Sequence, residues 1–279
     1  MTAAGSLRPI ADIALSSHAA ALVGGMAVFR LLRLSPPHGW RAVWWELGIV
    51  TLGVLVALAA QQLVEDFHNR RVARETRDAL RDEIEDNLVS VQLRSTAARC
   101  VDRRLREVRQ LLDEWGRSGT FERPLWIAQA PRLTLGFSRF DAALSAGRLA
   151  LLPREEQYRL GEIVTGLRGF QATQDAEFLV WPKLRALEAG ADVLSPGDRT
   201  MIRMALQEAL YHNYSAKLTS RQLLPAAAEF GFRPDQRRFN RTVRRIWKNG
   251  RYTPAICAPI DTPPGEANRM TQQVTPLPQ

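Results

Sequence analysis

The stretch VWWELGIVTLGVLVALAAQQLV, residues 43–64, decides the architecture of this chain. A helix needs about 20 predominantly apolar residues to cross the hydrocarbon core of a bilayer, and this run has that length. Trp44 and Trp45 stand at its start, where indole rings favour the headgroup boundary, and Arg41 precedes them. The sequence therefore predicts one membrane-spanning helix, with the lipid bilayer as a partner and Arg41, Trp44 and Trp45 at the interface.

Glu46 is the one ionisable residue inside this apolar run. An ionisable residue within a membrane span is a candidate functional residue by default. Glu46 lies close to Arg41 and beside the two tryptophans, so its carboxylate can reach the headgroup region by extending along the helix. We therefore interpret Glu46 as an interfacial residue rather than as a functional site.

The chain as a whole has the composition of a folded protein with a basic balance. Hydrophobic residues make up 46% of the sequence, and the formal net charge of +9 is carried almost wholly by arginine. An arginine excess can indicate a phosphate-binding patch. Here the arginines alternate with acids, as in RRVARETRDALRDEIED, residues 70–86. This interleaving is typical of a solvated helix face, so nucleic acid is not an expected partner.

The chain after the span predicts an all-α fold, in which the membrane helix continues into a long stalk helix and then a small helical bundle. Residues 65–115 contain no proline or glycine, and apolar residues recur there on one helical face at Leu80, Ile84, Leu88 and Val91. A second apolar series has coiled-coil spacing: Val101, Leu105, Val108, Leu112 and Trp115. We favour packing of this series on its own domain, because it covers only about two heptads. The alternative is a homodimer through the stalk helix.

Glycines and prolines divide the remaining chain into further helices. Gly116 and Gly119 should end the stalk, and Pro153 can open a helix that Pro182 should kink. Ser195 and Pro196 are the cap and first-turn residues of the next helix. The predicted organisation is an N-terminal tail at 1–42, the span at 43–64, an extracytoplasmic helical domain at 65–265 and a disordered tail at 266–279.

The segment before the span permits three interpretations. Residues 11–29 are partly apolar but carry polar side chains, so they could form a poor second membrane helix or a cytoplasmic tail. Alternatively, translation begins at Met26. We favour the second and third interpretations. Arginines lie on both sides of the span, so the positive-inside rule does not orient it.

The two cysteines, Cys100 and Cys257, bear on both stability and compartment. Cys257 lies in the proline-rich segment TPAICAPIDTPP, residues 253–264, and a bridge to Cys100 would pin this segment to the stalk helix. Closing so long a loop is worth roughly 4–5 kcal/mol in the chain-entropy model. The bridge would persist only in an oxidising compartment. We favour a Cys100–Cys257 bridge over two free thiols. A bridge in turn favours an N-terminus in the cytoplasm and a domain in the bacterial periplasm.

Four motifs together resemble a known group of proteins. They are WWELGIVTLGVLVALAAQQ at 44–62, CVDRRL at 100–105, LLPREEQ at 151–157 and ICAPIDTP at 256–263. The chain from about residue 34 to 267 is similar in these motifs to single-pass membrane proteins of alphaproteobacteria whose function is unknown. The resemblance implies an anchored helical domain in which Cys100 and Cys257 pair, and it implies no activity.

Residues with catalytic or metal-binding chemistry form no motif in this sequence. Only His68 and His212 follow the span, far apart and without a second ligand at metal spacing, so we expect neither metal nor cofactor. Nucleophile motifs and glycine-rich phosphate loops do not occur. Carboxylate pairs assemble in space rather than in sequence, so an envelope hydrolase built on dispersed acids is a third functional alternative, without a predicted catalytic residue.

The best candidate interaction surface is RRFNRTVRRIWKNGR, residues 237–251. Six basic residues surround its apolar stripe: Arg237, Arg238, Arg241, Arg244, Arg245 and Lys248. Such a helix could lie on anionic lipid or, in the cytoplasm, bind nucleic-acid phosphates. We favour a helix docked on the core with its arginines in solvent.

Taken together, these features predict a membrane-anchored extracytoplasmic domain in the bacterial inner membrane. It would act by interaction with an unidentified protein partner, as a scaffold or sensor, without catalysis. The alternative is a cytoplasm-facing domain that binds anionic lipid or nucleic acid through residues 237–248.

Overall fold

The computed structural model describes residues 39–248, 254–263 and 266. Its α-helices are α1 (Trp40–Ser118), α2 (Ser138–Ser145), α3 (Arg154–Leu184), α4 (Pro196–Glu229), α5 (Gln236–Lys248) and α6 (Pro254–Cys257). Short 3-10 helices at Arg148–Leu151 and Arg185–Ala189 follow α2 and α3. These described residues contain no strand, so the predicted all-α class is confirmed. Residues 11–29, for which a second membrane helix is one alternative, and nearly all of the tails at 1–42 and 266–279 lie outside the described residues.

The chain divides into two compact units, residues 1–65 and 66–279, and the division falls within α1. In the first unit, the described residues are Gly39 and the beginning of α1, and every side chain from Val43 to Glu65 is exposed. The second unit contains the remainder of α1 and all the other helices.

Three long helices form the core of the second unit. Arg77 pairs with Glu156 and Arg94 with Glu177, so α1 and α3 run parallel. Contacts of Asp102 with Lys217 and of Asp113 with Arg203 show that α4 runs antiparallel to α1. A three-helix arrangement of this kind buries the apolar stripe of each helix against the other two.

The core consists of two large apolar clusters. The first cluster joins the predicted face at Leu80, Ile84, Leu88 and Val91 to Leu167 of α3 and Leu223 of α4, among others. The second cluster contains the predicted heptad series Val101, Leu105, Val108, Leu112 and Trp115, all at most 5% exposed. The heptad series therefore packs on its own domain, the interpretation we favoured. It leaves no exposed coiled-coil seam at those positions of the stalk.

Helix ends follow the local signals in the sequence. α1 ends at Ser118, before Gly119, whose φ of +76° favours glycine. At the start of α4, the Ser195 side chain accepts from the backbone N–H of Asp198, and Asp198 accepts from the N–H of Ser195. This reciprocal capping box confirms the predicted helix start. Pro182 lies close before the end of α3 at Leu184, where the chain passes into the 3-10 helix.

The segment 119–137 connects α1 and α2 without helical structure, and side chains hold its backbone in place. The Asn87 amide donates to the Gly136 carbonyl at 2.6 Å and accepts from the Gly136 N–H at 2.9 Å. Gln174 makes the same pair of bonds with Leu133, at 3.2 and 3.1 Å. A buried backbone segment needs such partners because an unpaired N–H or C=O costs free energy.

Candidate functional site

Among the described residues, one helix is long and apolar enough to cross a membrane: the beginning of α1. Trp44 is 68% and Trp45 42% exposed, and Arg41 is also exposed. Leu47 and Thr51 follow, with the Thr51 hydroxyl donating to the Leu47 carbonyl at 2.7 Å. This bond satisfies the hydroxyl within the helix, so the polar side chain is compatible with an apolar surrounding.

The C-terminal segment is joined covalently to α1. Cys100 of α1 and Cys257 of α6 form a disulfide across a sequence separation of 157. The neighbours of Cys257, Ile256 and Ala258, are 1% and 3% exposed, and Ile256 belongs to the second cluster together with Val101. The bridge is therefore accompanied by apolar packing that removes the segment from solvent.

Arg104 adds a polar clamp beside this bridge. Its side chain is 1% exposed, and its guanidinium donates to the Trp126 carbonyl at 2.9 Å and to the Ala258 carbonyl at 2.6 Å. Glu107 lies with Oε2 3.2 Å from Arg104 Nε. Burial lowers the pKa of Arg104 and raises the pKa of Glu107, since desolvation opposes both charges. Arg104 thus ties both the connecting segment 119–137 and the C-terminal segment to α1.

A buried polar layer crosses the three long helices. Arg94 Nη2 of α1 donates to both carboxylate oxygens of Glu177 of α3, at 2.7 and 3.0 Å, and to Asn213 Oδ1 of α4 at 3.1 Å. The Asn213 amide donates to Asp102 at 2.6 Å, and Asp102 accepts from Lys217 at 2.8 Å. Arg94, Glu177 and Asn213 are all at most 2% exposed.

This polar layer separates the two apolar clusters on each helix. On α1, Arg94 falls between Val91 of the first cluster and Val101 of the second. On α3, Glu177 falls between Phe170 and Val180 in the same way. Each acid of the layer is paired with a cation of the layer, so its charges balance. The arrangement suits a role in helix register, because the hydrogen bonds of the layer form only when the three helices are aligned in this way.

α5 is docked on the domain through its apolar stripe. Phe239 and Val243 are buried and form a third, small cluster with Val89 and Leu93 of α1. At its start, the Asp235 carboxylate accepts from the backbone N–H of Arg238 and of Arg237, which lowers the pKa of Asp235. Arg238 also pairs with Asp86 of α1.

The outer side of α5 carries an exposed basic face: Arg237, Arg241, Arg244 and Arg245. Within the described part of the chain, none of these four guanidinium groups lies within ion-pair distance of a carboxylate. Of the six predicted surface residues, Arg238 instead forms an ion pair with Asp86. The side chain of Lys248 lies outside the described part of the structure. An uncompensated cationic face of this kind can bind anions in a salt-dependent manner.

Groups for metal binding are not assembled in residues 39–248, 254–263 and 266. No three His, Cys, Asp or Glu side chains there are placed to hold a metal ion. His212 makes an edge contact with the Tyr211 ring at a centroid distance of 5.5 Å, and His68 is exposed. The other two histidines, His18 and His38, lie outside the described ranges.

No protein-family model, curated protein or solved structure matches this chain. Three features of the described residues bear on function: the exposed apolar beginning of α1, the Cys100–Cys257 bridge and the basic face of α5.

Proposed function

We propose that this protein is a membrane-anchored extracytoplasmic interaction module, a scaffold or sensor that carries out no chemistry of its own. Residues 43–64 would hold it in the bacterial inner membrane, with the N-terminus in the cytoplasm and the helical domain in the periplasm. The Cys100–Cys257 bridge carries this proposal. Structural disulfides persist in oxidising compartments such as the periplasm and are rare in the cytosol.

The surroundings of the bridge support its role as a permanent structural element. Ile256 and Ala258 are buried on either side of Cys257, and Arg104 donates to the Ala258 carbonyl. A bridge that formed and broke during function would repeatedly expose these groups to water, at a cost in apolar burial and in hydrogen bonding. We therefore expect the disulfide to remain oxidised in the folded protein.

The side of the membrane is tested by counting thiols. Membranes from expressing cells are denatured rapidly in the presence of a mass-tagged maleimide, one sample directly and a second sample after reduction. We expect no label before reduction and two labels per monomer after it. A Cys257→Ser variant is the matched control, because it leaves Cys100 alone and should take one label without reduction.

A second measurement makes the sidedness independent of the thiols. A periplasm-dependent reporter enzyme fused after the last residue should be active, and the same reporter fused before residue 1 should be inactive. Two free thiols together with an inactive C-terminal reporter would overturn the periplasmic placement. An active C-terminal reporter together with free thiols would support the periplasmic placement but show that the bridge does not form.

The basic face of α5 supports a second candidate function. Arg237, Arg241, Arg244 and Arg245 point to a cytoplasm-facing domain that binds anionic lipid, or nucleic acid, in place of the extracytoplasmic module. Each basic residue near an anionic bilayer contributes about 1 kcal/mol, so four could bind a vesicle. The docked Phe239 and Val243 would keep the helix on the domain while the arginines made the contact.

This second candidate is tested with the full chain in nanodiscs of neutral lipid. Binding is measured to vesicles containing phosphatidylglycerol and to short single-stranded DNA at several salt concentrations. The variant is Arg244→Gln with Arg245→Gln, and the control is Arg106→Gln with Arg109→Gln, two exposed arginines of α1. Salt-sensitive binding lost only in the first variant would support the candidate. Equal binding of the two variants would refute it.

A further inference from the structure

The solvent side of α4 carries an exposed stripe without a charged residue. The stripe consists of Met204, Gln207, Tyr211, Tyr214 and Leu218. Met204 is 62%, Tyr211 66% and Tyr214 60% exposed. A surface helix ordinarily places its charged residues on the face opposite the core. Here the stripe on that face carries no charge, and four of its five residues have large apolar or aromatic side chains whose burial would be favourable.

The stripe has the spacing of a helix-pairing seam. Its five residues follow one another at intervals of three, four, three and four, which keeps them on one side of the helix. The opposite side of α4 is already filled by its own domain through Ile202, Ala209 and Ala216. A helix partner for the stripe must therefore come from outside this domain.

Three charged residues beside the stripe are paired within the chain, whereas Arg221, beyond its last residue, is exposed. Arg203 pairs with Asp113, Glu208 with Lys183, and Lys217 with Asp102. In a two-fold interface the same surface patch occurs on both sides, so an unpaired charge near the axis is brought toward its own copy and repelled. Because the charges beside the middle of the stripe are already paired, this repulsion is avoided there, and the middle of the stripe suits an identical partner.

The area of the stripe is sufficient for a dimer of modest strength. The exposed parts of Met204, Tyr211, Tyr214 and Leu218 amount to roughly 500 Å² per copy, given the size of these side chains. Gln207 and the nearby Met201, which is 47% exposed, extend the surface. Two copies would bury about 1,000–1,500 Å² in total, which reaches the lower range of specific interfaces.

We propose that α4 pairs with α4 of a second copy of this chain through the stripe. Tyr211, in the middle of the seam, is the central contact of the interface. Large aromatic side chains near the centre of an interface contribute most of the binding energy. The inference goes beyond the proposed function, since it holds in either compartment and requires neither the span nor the bridge.

Cysteine cross-linking of the full chain in native membranes tests the pairing. With Tyr211→Cys we expect a disulfide-linked dimer after mild oxidation, because residue 211 lies at the seam centre in both parallel and antiparallel pairing. Tyr158→Cys is the matched control, since Tyr158 of α3 is 67% exposed and lies outside the stripe. Met204→Cys should cross-link alone in a parallel pair, and only together with Leu218→Cys in an antiparallel pair.

Light scattering of the full chain in detergent provides the second readout. Tyr211→Glu places a negative charge on both sides of the seam, and we expect self-association to weaken on the order of 30-fold, as for a central aromatic contact. Tyr158→Glu should leave self-association unchanged. The proposal is overturned if Tyr211→Cys cross-links no more than Tyr158→Cys, or if the two glutamate variants associate equally. Circular dichroism confirms that each variant is folded.

Discussion

Replacing Glu177 by glutamine should destabilise the domain strongly, because it leaves the Arg94 cation buried without a counter-charge. Arg94 Nη2 lies 2.7 and 3.0 Å from the two carboxylate oxygens, and both side chains are at most 2% exposed. Glutamine keeps the shape and one acceptor oxygen, and Asn213 Oδ1 remains 3.1 Å away. The change therefore removes the negative charge at position 177 while leaving the shape of the side chain nearly unchanged. Removing one partner of a buried ion pair costs about 3–5 kcal/mol.

Thermal unfolding of the full chain in detergent, followed by circular dichroism, measures this cost. For a domain of this size each kcal/mol lowers Tm by about 2–4 °C, so Glu177→Gln should lower Tm by about 6–20 °C. The matched control is Glu155→Gln, which breaks an exposed pair in which Arg159 lies 2.7 Å from the carboxylate. Exposed pairs of this kind contribute less than about 1 kcal/mol, so the control should lower Tm by only a few degrees.

A double variant separates the charge from the packing. Arg94→Met with Glu177→Met removes both charges and keeps unbranched side chains that can fill the space. Replacing a whole buried ion pair by apolar residues is often neutral or stabilising, so the double variant should recover most of the Tm lost in Glu177→Gln. The reasoning is refuted if Glu177→Gln loses no more than Glu155→Gln, or if the double variant is less stable than Glu177→Gln.

Three further predictions concern the other contacts of the domain. Cys257→Ser should lower the free energy of unfolding by about 5 kcal/mol; a reductant should lower the wild-type Tm to that of the variant, and equal Tm values without reductant would contradict the prediction. Burial raises the pKa of Glu107 in the folded domain. The Glu107 carboxyl group therefore contributes most to stability below the ordinary pKa of glutamate, and this contribution is lost as the pH rises through the raised pKa. Glu107→Gln should therefore remove this fall from a Tm-against-pH profile, and parallel profiles would show that Glu107 is not its source. Phe239→Ala removes a side chain that is 5% exposed, a loss of about 3–5 kcal/mol that should detach α5. Hydrogen exchange of the α5 amides should then accelerate while that of α4 does not; unchanged α5 protection would place the docking elsewhere.

The periodic parts of the fold could be predicted from the sequence because the residues on the buried face of a helix are apolar and recur at the helical spacing. The series from Leu80 to Val91 and the series from Val101 to Trp115 are buried as their spacing indicates. Local chemistry was equally informative at Ser195, where a cap and a following proline define a helix start without reference to the rest of the fold. The apolar stripe of α5 was also predicted.

The polar layer could not be predicted in the same way. Arg94 lies three positions after Val91 and seven before Val101, so helical spacing places it on the buried face, but the local sequence does not show which groups satisfy its charge. Its burial depends on Glu177, which is 83 positions away in sequence, and on Asn213, which is 119 away. The role of Arg104 could not be predicted either. Its acceptors are the backbone carbonyls of Trp126 and Ala258, and a backbone carbonyl leaves no signal in the sequence because every residue has one. Periodicity identifies which face is buried but not which partner covers it.

The covalent link between Cys100 and Cys257 also determines how the chain carries mechanical tension. A pull on the residues after Cys257 passes through the disulfide directly into α1 at Cys100. The residues between the two cysteines form a closed ring whose two ends are held at the same point, so they bear no part of that pull. Even if α3, α4 and α5 unfolded within the ring, the distance over which tension is transmitted along the chain would stay the same. In mechanical terms, the residues that follow Cys257 are an attachment to α1.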